Sequence, residues 1–151
     1  MKWTPKRLKL VLNLYPPYLG AGVRVTHIGD DWRETHVAMK LRWYNRNMVG
    51  THFGGSLYAM AEPHFMLMLL QLLGKDYVVW DKSAVIEFVS PGRGTVNSVV
   101  KITNEDLMAI KVNTADGRRY LPEFEIEVVD EKEEIVARIK KTVYVRKKSL
   151  Q

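Results

Sequence analysis

A carboxylate and an imidazole lie inside the most apolar part of the chain, residues 45–74. They belong to Glu62 and His64, and a polar group among apolar side chains is costly unless it has a partner or a task. Gly54 and Gly55 come just before the apolar run. Backbone N–H groups at the start of a helix are fixed donors that stabilise negative charge on a carbonyl oxygen. The arrangement therefore favours chemistry in which a carbonyl oxygen becomes negative.

Each of these residues has a candidate role and a plainer structural explanation. Gly54 and Gly55 would leave the helix start open to a substrate carbonyl, or they would allow a tight turn and close packing. Glu62 would deprotonate a water molecule or attack directly, because burial raises the pKa of a carboxylate. The plainer reading of Glu62 is a buried acid with satisfied hydrogen bonds, or a surface residue. Asn47 is a candidate for orienting the water.

Two histidines are further candidates for a base. His52 lies at the predicted helix start and His64 follows Glu62 by two residues. A lone histidine is, however, more often a hydrogen-bonded packing residue. The chain contains no cysteine, and its histidines show no HxH or HExxH spacing, so we expect no metal site.

The pattern of apolar residues predicts the elements that position these groups. Residues 55–73 are too apolar for a helix with one wet face, so we expect a buried helix, kinked at Pro63 and wrapped by other structure. Alternation with a period of two predicts two strands before this helix, two after it and two at the end of the chain. A short helix is expected over 107–112. The sequence thus predicts an α+β domain with six antiparallel strands around one central helix.

The last two strands are predicted to form a hairpin. If Glu131 and Lys132 make a two-residue turn, Glu125 lies opposite Arg138 and Glu123 lies opposite Lys140. These charge pairs favour the hairpin and require no function.

The chain of 151 residues is expected to form a single domain, with an N-terminal helix and a Pro16-Pro17 linker in residues 1–18. The helix has a basic face that includes Lys2, Lys6 and Lys9. Such a face could lie on a membrane, but a helix of about three turns more commonly packs against its own domain.

Composition limits the partners and the compartment. Lys and Arg exceed Asp and Glu by 23 to 17, giving a net charge of +6 that would suit a phosphorylated ligand. No zinc, helix-turn-helix or aromatic-basic RNA-binding motif supports a nucleic-acid partner. The apolar run is shorter than the roughly 18 residues that span a bilayer. The lack of cysteine and of a signal peptide favours the cytoplasm.

The residues around the helix start resemble the hotdog-fold thioesterases, in particular those similar to the phenylacetate-pathway acyl-CoA thioesterase. In that family an Asn precedes a His-Gly-Gly at the mouth of the central helix, and an acid follows two turns later. Asn47, Gly54, Gly55 and Glu62 match this pattern. Phe53 replaces the family His, and the FGGSLYA segment resembles a less studied thioesterase branch. The resemblance covers nearly the whole chain.

The resemblance implies a hotdog fold and hydrolysis of acyl-CoA or acyl-carrier-protein thioesters. No separate cofactor is implied, because coenzyme A is part of the substrate. A homodimer, or a dimer of dimers, is also implied, with Glu62 of one chain near the Gly54-Gly55 mouth of the other. Acyl-chain contacts are expected from Met48, Phe53, Leu57 and Met60, which would equally suit a plain core, and phosphate contacts from Arg93, which is otherwise a solvated residue.

Two other functions remain open. Because Phe53 replaces the family His, the protein could bind an acyl ligand without turnover. Dehydration of hydroxyacyl thioesters is less favoured, because the proline of the usual His-Phe-Pro-Gly loop is absent after His52-Phe53.

Overall fold

The computed structural model describes residues 3–149, so Lys2 of the predicted basic helix face lies outside it. The helices and strands, in chain order, are α1 (Pro5–Leu14), α2 (Pro16–Ala21), β1 (Val23–Ile28), β2 (Glu34–Lys40), α3 (Gly54–Ala59), α4 (His64–Leu73), β3 (Tyr77–Phe88), β4 (Thr95–Lys101), α5 (Asn104–Asn113), β5 (Arg119–Tyr120), β6 (Glu123–Val129) and β7 (Ile135–Lys147).

One antiparallel sheet contains the strands, in the order β1-β2-β4-β6-β7-β3, with β5 paired beside β7. This confirms the predicted α+β architecture. The six long strands were predicted, whereas β5 was not, because two residues are too few to show an alternating pattern.

The core lies between one face of the sheet and the α3–α4 segment. Alternate residues of β4, β6 and β7 are buried, as the period of a strand requires. From the helix side, Phe65 stacks on Phe124 with ring centroids 4.3 Å apart, and Met68 and Leu69 are buried beside it. The segment that carries the candidate site is therefore held against the sheet by close apolar packing.

The predicted central helix is divided. α3 ends at Ala59 and α4 begins at His64, and the Glu62-Pro63 peptide bond between them is cis. The sequence predicted a kink at Pro63, but the chain leaves the helix altogether because proline has no N–H to continue the ladder. Glu62 therefore lies in a turn and not inside a helix.

The predicted Pro16-Pro17 linker is wrong. Both prolines lie in the first turn of α2, where the missing N–H has no helical partner in any case and the proline φ suits the helix. α1 agrees with the prediction: Thr4 caps it by accepting a hydrogen bond from the N–H of Arg7 at 3.3 Å.

The side chain of Asn13 joins α1 to β1. The Asn13 amide accepts from the N–H of Val25 at 2.8 Å and donates to its C=O at 2.9 Å. Asn13 thus occupies the outer hydrogen-bonding positions of β1 as a neighbouring strand would. Among the helices of residues 3–149, none is long and apolar enough to span a membrane.

The β6–β7 hairpin forms, but in a different register. Glu127 pairs with Arg138 and Glu125 with Lys140, two residues away from the predicted partners. The connection is longer than two residues because the Asp130 carboxylate accepts hydrogen bonds from the N–H groups of Lys132 and Glu134. This loop moves the start of β7 and shifts every pair that follows.

Candidate active site

The loop before α3 is organised by the side chain of Asn47. Its Oδ1 accepts from the N–H groups of Val49 (3.1 Å) and Thr51 (3.0 Å), and its Nδ2 donates to Thr51 Oγ1 (2.9 Å) and to the C=O of His52 (3.4 Å). Both lone pairs and both hydrogens of the amide are used. Asn47 therefore shapes the loop, and its predicted water-orienting role does not fit this geometry.

The start of α3 has free backbone donors but is covered by aromatic rings. The N-cap residue is Phe53, whose side chain has no acceptor for the N–H groups of Gly54 and Gly55, while its C=O accepts from the N–H groups of Ser56 and Leu57. A Cβ at Gly55 would lie 2.6 Å from the Phe53 ring, and one at Gly54 would lie 2.8 Å from the Phe88 ring. The expectation of an open mouth is thus corrected, because the glycines make room for two rings. Both rings are more than half exposed, so they can be displaced.

His52 lies beneath this mouth. It is buried. Its ring Nε2 donates to the C=O of Gly94 at 2.9 Å, and its backbone N–H donates to the C=O of Gly92 at 3.0 Å. Burial lowers the pKa of His52, and the hydrogen bond to Gly94 offsets this only in part. Its Nδ1 is buried without a hydrogen-bond partner among residues 3–149, so it offers an unused acceptor next to the cavity.

A cavity of about 430 Å³ brings part of the predicted site together. Its walls include Asn47, His52, Gly54 and Leu57 on one side and residues 88–92 on the other. A volume in this range suits a small-molecule ligand.

Glu62 is not in this cavity. It is exposed, in contrast to the expected buried acid, and it borders a second groove together with residues of α1, α2 and α4. The hydroxyl of Tyr18 on α2 donates to the C=O of Glu62. Burial raises the pKa of Tyr18, and the nearby Glu62 carboxylate raises it further, so this hydroxyl stays protonated as a donor.

His64 supports the same turn from inside the core. Its Nε2 lies 2.8 Å from the Tyr18 hydroxyl. Burial, with a smaller contribution from the positive charge of Lys141, lowers the pKa of His64 to about 3. His64 is therefore neutral at physiological pH, although a hydrogen bond with the C=O of Met60 opposes the lowering of its pKa. This geometry favours the packing role over a role as second base.

A buried ion pair lies on the sheet side of His64. Lys141 on β7 is fully buried and its Nζ is 2.8 Å from Asp81 Oδ2 on β3, with the Tyr58 ring centroid 5.7 Å away. Sequence reasoning missed this pair, although the alternation of Ile139, Lys141 and Val143 already placed Lys141 on the inward face. Tyr18 and Phe88 were also missed, since no local pattern links them to residues 54–62.

The residues predicted to contact the substrate do not all lie in one place. Met60 is completely buried in the core and cannot contact a substrate without unfolding, which corrects that expectation. Leu57 lines the cavity, Phe53 covers the mouth, and Met48 is fully exposed at the loop tip. Arg93 is exposed in the loop after β3, next to the cavity wall. No group of three His, Asp or Glu that could hold a metal is found in the described part of the chain.

Solved structures with the same architecture come from several bacteria. A probable thioesterase of unknown function from Pseudomonas aeruginosa superimposes with a TM-score of 0.80 at 17% identity, covering 95% of this chain and 96% of that one. A thioesterase from Haemophilus influenzae gives 0.71 at 17%, covering 97% and 93%. A mutant of the phenylacetic acid degradation protein PaaI from Thermus thermophilus gives 0.60 at 26%, covering 85% and 97%.

These likenesses show that the fold is the hotdog fold. No curated protein matches the sequence. A family model described as a domain of unknown function (DUF4442) matches residues 6–145, which is nearly the whole chain, and the protein therefore belongs to the DUF4442 family.

Proposed function

We propose that the protein hydrolyses acyl thioesters of coenzyme A or of an acyl-carrier protein. The observation that carries the proposal is the start of α3, where the N–H groups of Gly54 and Gly55 have no side-chain cap and Gly54 and His52 line a ligand-sized cavity. Several structural neighbours are named as thioesterases, which supports the same reaction class.

In the proposed reaction the thioester oxygen takes the place of the Phe53 ring beside Gly55. The N–H groups there stabilise the oxyanion as water attacks the carbonyl carbon. Glu62 accepts the proton of that water, the C–O bond forms, and the C–S bond breaks. The proton then passes to the departing thiolate, so a carboxylic acid and a thiol are released.

The two halves of this site must come from different subunits. Within one chain Glu62 and the Gly54-Gly55 mouth border separate cavities, so the proposal includes a homodimer in which they meet. Arg93, exposed beside the mouth, would bind the coenzyme A phosphates. A chain without cysteine suits a reducing compartment such as the cytoplasm.

The second candidate is an acyl-ligand-binding protein without turnover. The Phe53 ring over Gly55 favours it, because the ring occupies the place that a reacting oxygen needs.

Assay of purified protein against a panel of acyl-CoAs, with free thiol as the readout, separates the two. We expect Glu62→Gln to lower kcat by about a hundredfold, the range for loss of a positioned base. Glu105→Gln, another exposed carboxylate placed in the first turn of α5, should keep wild-type kcat. A folded Glu62→Gln protein with unchanged kcat would remove Glu62 from the chemistry. Binding of acyl-CoA without thiol release would establish the second candidate.

A further inference from the structure

The groove that Glu62 borders is a separate feature from the cavity at the α3 mouth. It has a volume of about 560 Å³ and lies between the α1–α2 unit and the segment from Ala59 to Leu67. Leu8, Leu12 and Tyr18 are buried at its base. Apart from Glu62, the residues that line it are apolar or aromatic.

The walls of the groove contain large apolar side chains that water still reaches. Val11 and Tyr15 of α1 are 47% and 46% exposed, and Met66 and Leu67 of α4 stand opposite as half-buried residues. Such side chains gain free energy when a ligand covers them. A concave groove with apolar walls suits a chain-like ligand better than a flat surface.

Glu62 borders this groove beside Tyr18, which follows α1 in the chain. The Tyr18 hydroxyl contacts the C=O of Glu62, whereas Trp3 lines the groove beyond the opposite end of α1. α1 has ten residues and therefore a length of about 15 Å. An extended chain lying along α1 would thus have its head group at Glu62 and its tail toward Trp3.

We propose that this groove binds the unbranched acyl chain of the substrate, with α1 as the element that determines chain length. The inference rests on the proposed function, because Glu62 is the carboxylate assigned to the reacting carbonyl. A chain anchored here presents its thioester carbon at the proposed catalytic residue. A membrane surface would instead place lipid chains against a carboxylate, which is unfavourable.

The assignment predicts a charge effect on ligand binding. A free fatty acid in the groove would bring its carboxylate close to that of Glu62, and like charges repel. A neutral alcohol of the same length has no such repulsion. After hydrolysis the same repulsion would favour release of the acid.

Calorimetry with decanol and decanoate tests the groove without relying on turnover. Val11→Trp fills the groove and should weaken decanol binding about tenfold, in line with the sensitivity of apolar pockets to small changes. Leu10→Trp is the matched control: Leu10 is 61% exposed on the same helix but does not line the groove, so binding should stay at the wild-type level. Met66→Trp, from the opposite wall, gives a second blocking variant should Val11→Trp fail to fold.

Glu62→Gln should tighten decanoate binding about threefold to tenfold, as expected for removing one nearby charge, and leave decanol binding unchanged. No decanol binding by the wild type, equal loss in the Leu10 and Val11 variants, or an unchanged decanoate affinity in Glu62→Gln would overturn the inference. So would a change of oligomeric state in Val11→Trp by light scattering, because it would identify Val11 as a subunit contact and not a ligand contact.

Hydrolysis of decanoyl-CoA and butyryl-CoA separates this inference from the proposed function. In the wild type decanoyl-CoA should have the higher kcat/KM, and Val11→Trp should lower the ratio of the two values about tenfold. Hydrolysis with an unchanged ratio would contradict acyl-chain binding in the groove and leave the proposed function unaffected. Groove-dependent decanol binding without hydrolysis of either thioester would overturn the proposed function and leave the groove standing.

Discussion

At the scale of single residues, the side chain of His64 links the core to the turn that presents Glu62. Its ring is enclosed between the Tyr18 hydroxyl and the ammonium of Lys141, so protonating it would place a second positive charge in the core. The folded protein therefore excludes a proton that the unfolded chain accepts at an ordinary histidine pKa of 6.5.

This exclusion predicts a specific dependence of stability on pH. Folding lowers the pKa of His64 to about 3. The contribution of neutral His64 to the free energy of unfolding is therefore complete above pH 6.5 and is lost progressively as the pH falls toward 3. The loss amounts to at most about 1.4 kcal/mol for each pH unit in that window. Urea unfolding at about pH 7 and pH 5 measures it.

The comparison protein for this experiment is His64→Phe, which keeps a ring in the core and leaves Tyr18 bonded to Glu62. Its free energy of unfolding should fall less between the two pH values than that of the wild type. His52 and the carboxylates titrate in both proteins, so their effects cancel in the difference. Equal losses in the two proteins would show that His64 does not resist protonation.

At the scale of elements, Asn13 is the main polar link between α1 and the sheet. Replacing it with Ala leaves the N–H and C=O of Val25 without their outer partner and should lower the free energy of unfolding by about 1–3 kcal/mol. Asn113→Ala is a suitable control, because the Asn113 side chain makes one exposed bond to Ala109 within α5. It should change stability by less than about 0.5 kcal/mol. Equal effects of the two substitutions in urea unfolding would contradict a structural role for the α1–β1 link.

Elements with a strong local pattern were predictable, and connections between elements were not. The alternation in β7 and the capping sequence at Thr4-Pro5 each predict an element that the structure contains. The break at Glu62 and the register of the β6–β7 hairpin depend on Pro63 and on the Asp130 turn, where one residue changes the path of the chain. The contact between Tyr18 and Glu62 joins distant residues, which no local pattern reveals.

In the candidate site, too, local features were predictable and contacts between distant residues were not. Gly54 and Gly55 are where the sequence placed them, at the first positions of α3. The physical reason for the glycines differs from the predicted one, because an aromatic ring takes the space beside each: Phe88, distant in sequence, beside Gly54, and Phe53, two residues earlier, beside Gly55. Burial could not be predicted from composition: Glu62 is exposed in an apolar stretch, whereas Lys141 is buried although it is charged and follows Lys140.

At the scale of the whole molecule, the two edges of the sheet are unequal. The outer positions of β1 are used by Asn13, whereas β3 forms the other edge of the described sheet and carries exposed apolar residues such as Val85 (69%) and Phe88 (57%). Long apolar edge strands are usually paired or covered. We therefore expect two subunits to associate through β3.

The shared site predicts recovery of activity when two inactive variants are combined. Glu62→Gln and Gly55→Val, unfolded and refolded together, form heterodimers in which one of the two sites has both natural residues, so each should regain about half of the wild-type activity. Either variant refolded alone is the control and should stay inactive. A monomer at micromolar concentration by light scattering, or heterodimers seen by mass spectrometry without recovery, would contradict a site built from two chains.

The position of β7 in the sheet has a consequence for how the chain is made. β3 pairs along its length with β7, which comes later by the whole of β4, α5, β5 and β6. During synthesis from the N-terminus, β3 leaves the ribosome with neither edge paired and waits for a partner that has not yet been translated. Such long-range pairing folds slowly and exposes a strand that can join with other chains. A chain that ends before β7 would therefore leave β3 unpaired and would be prone to aggregation.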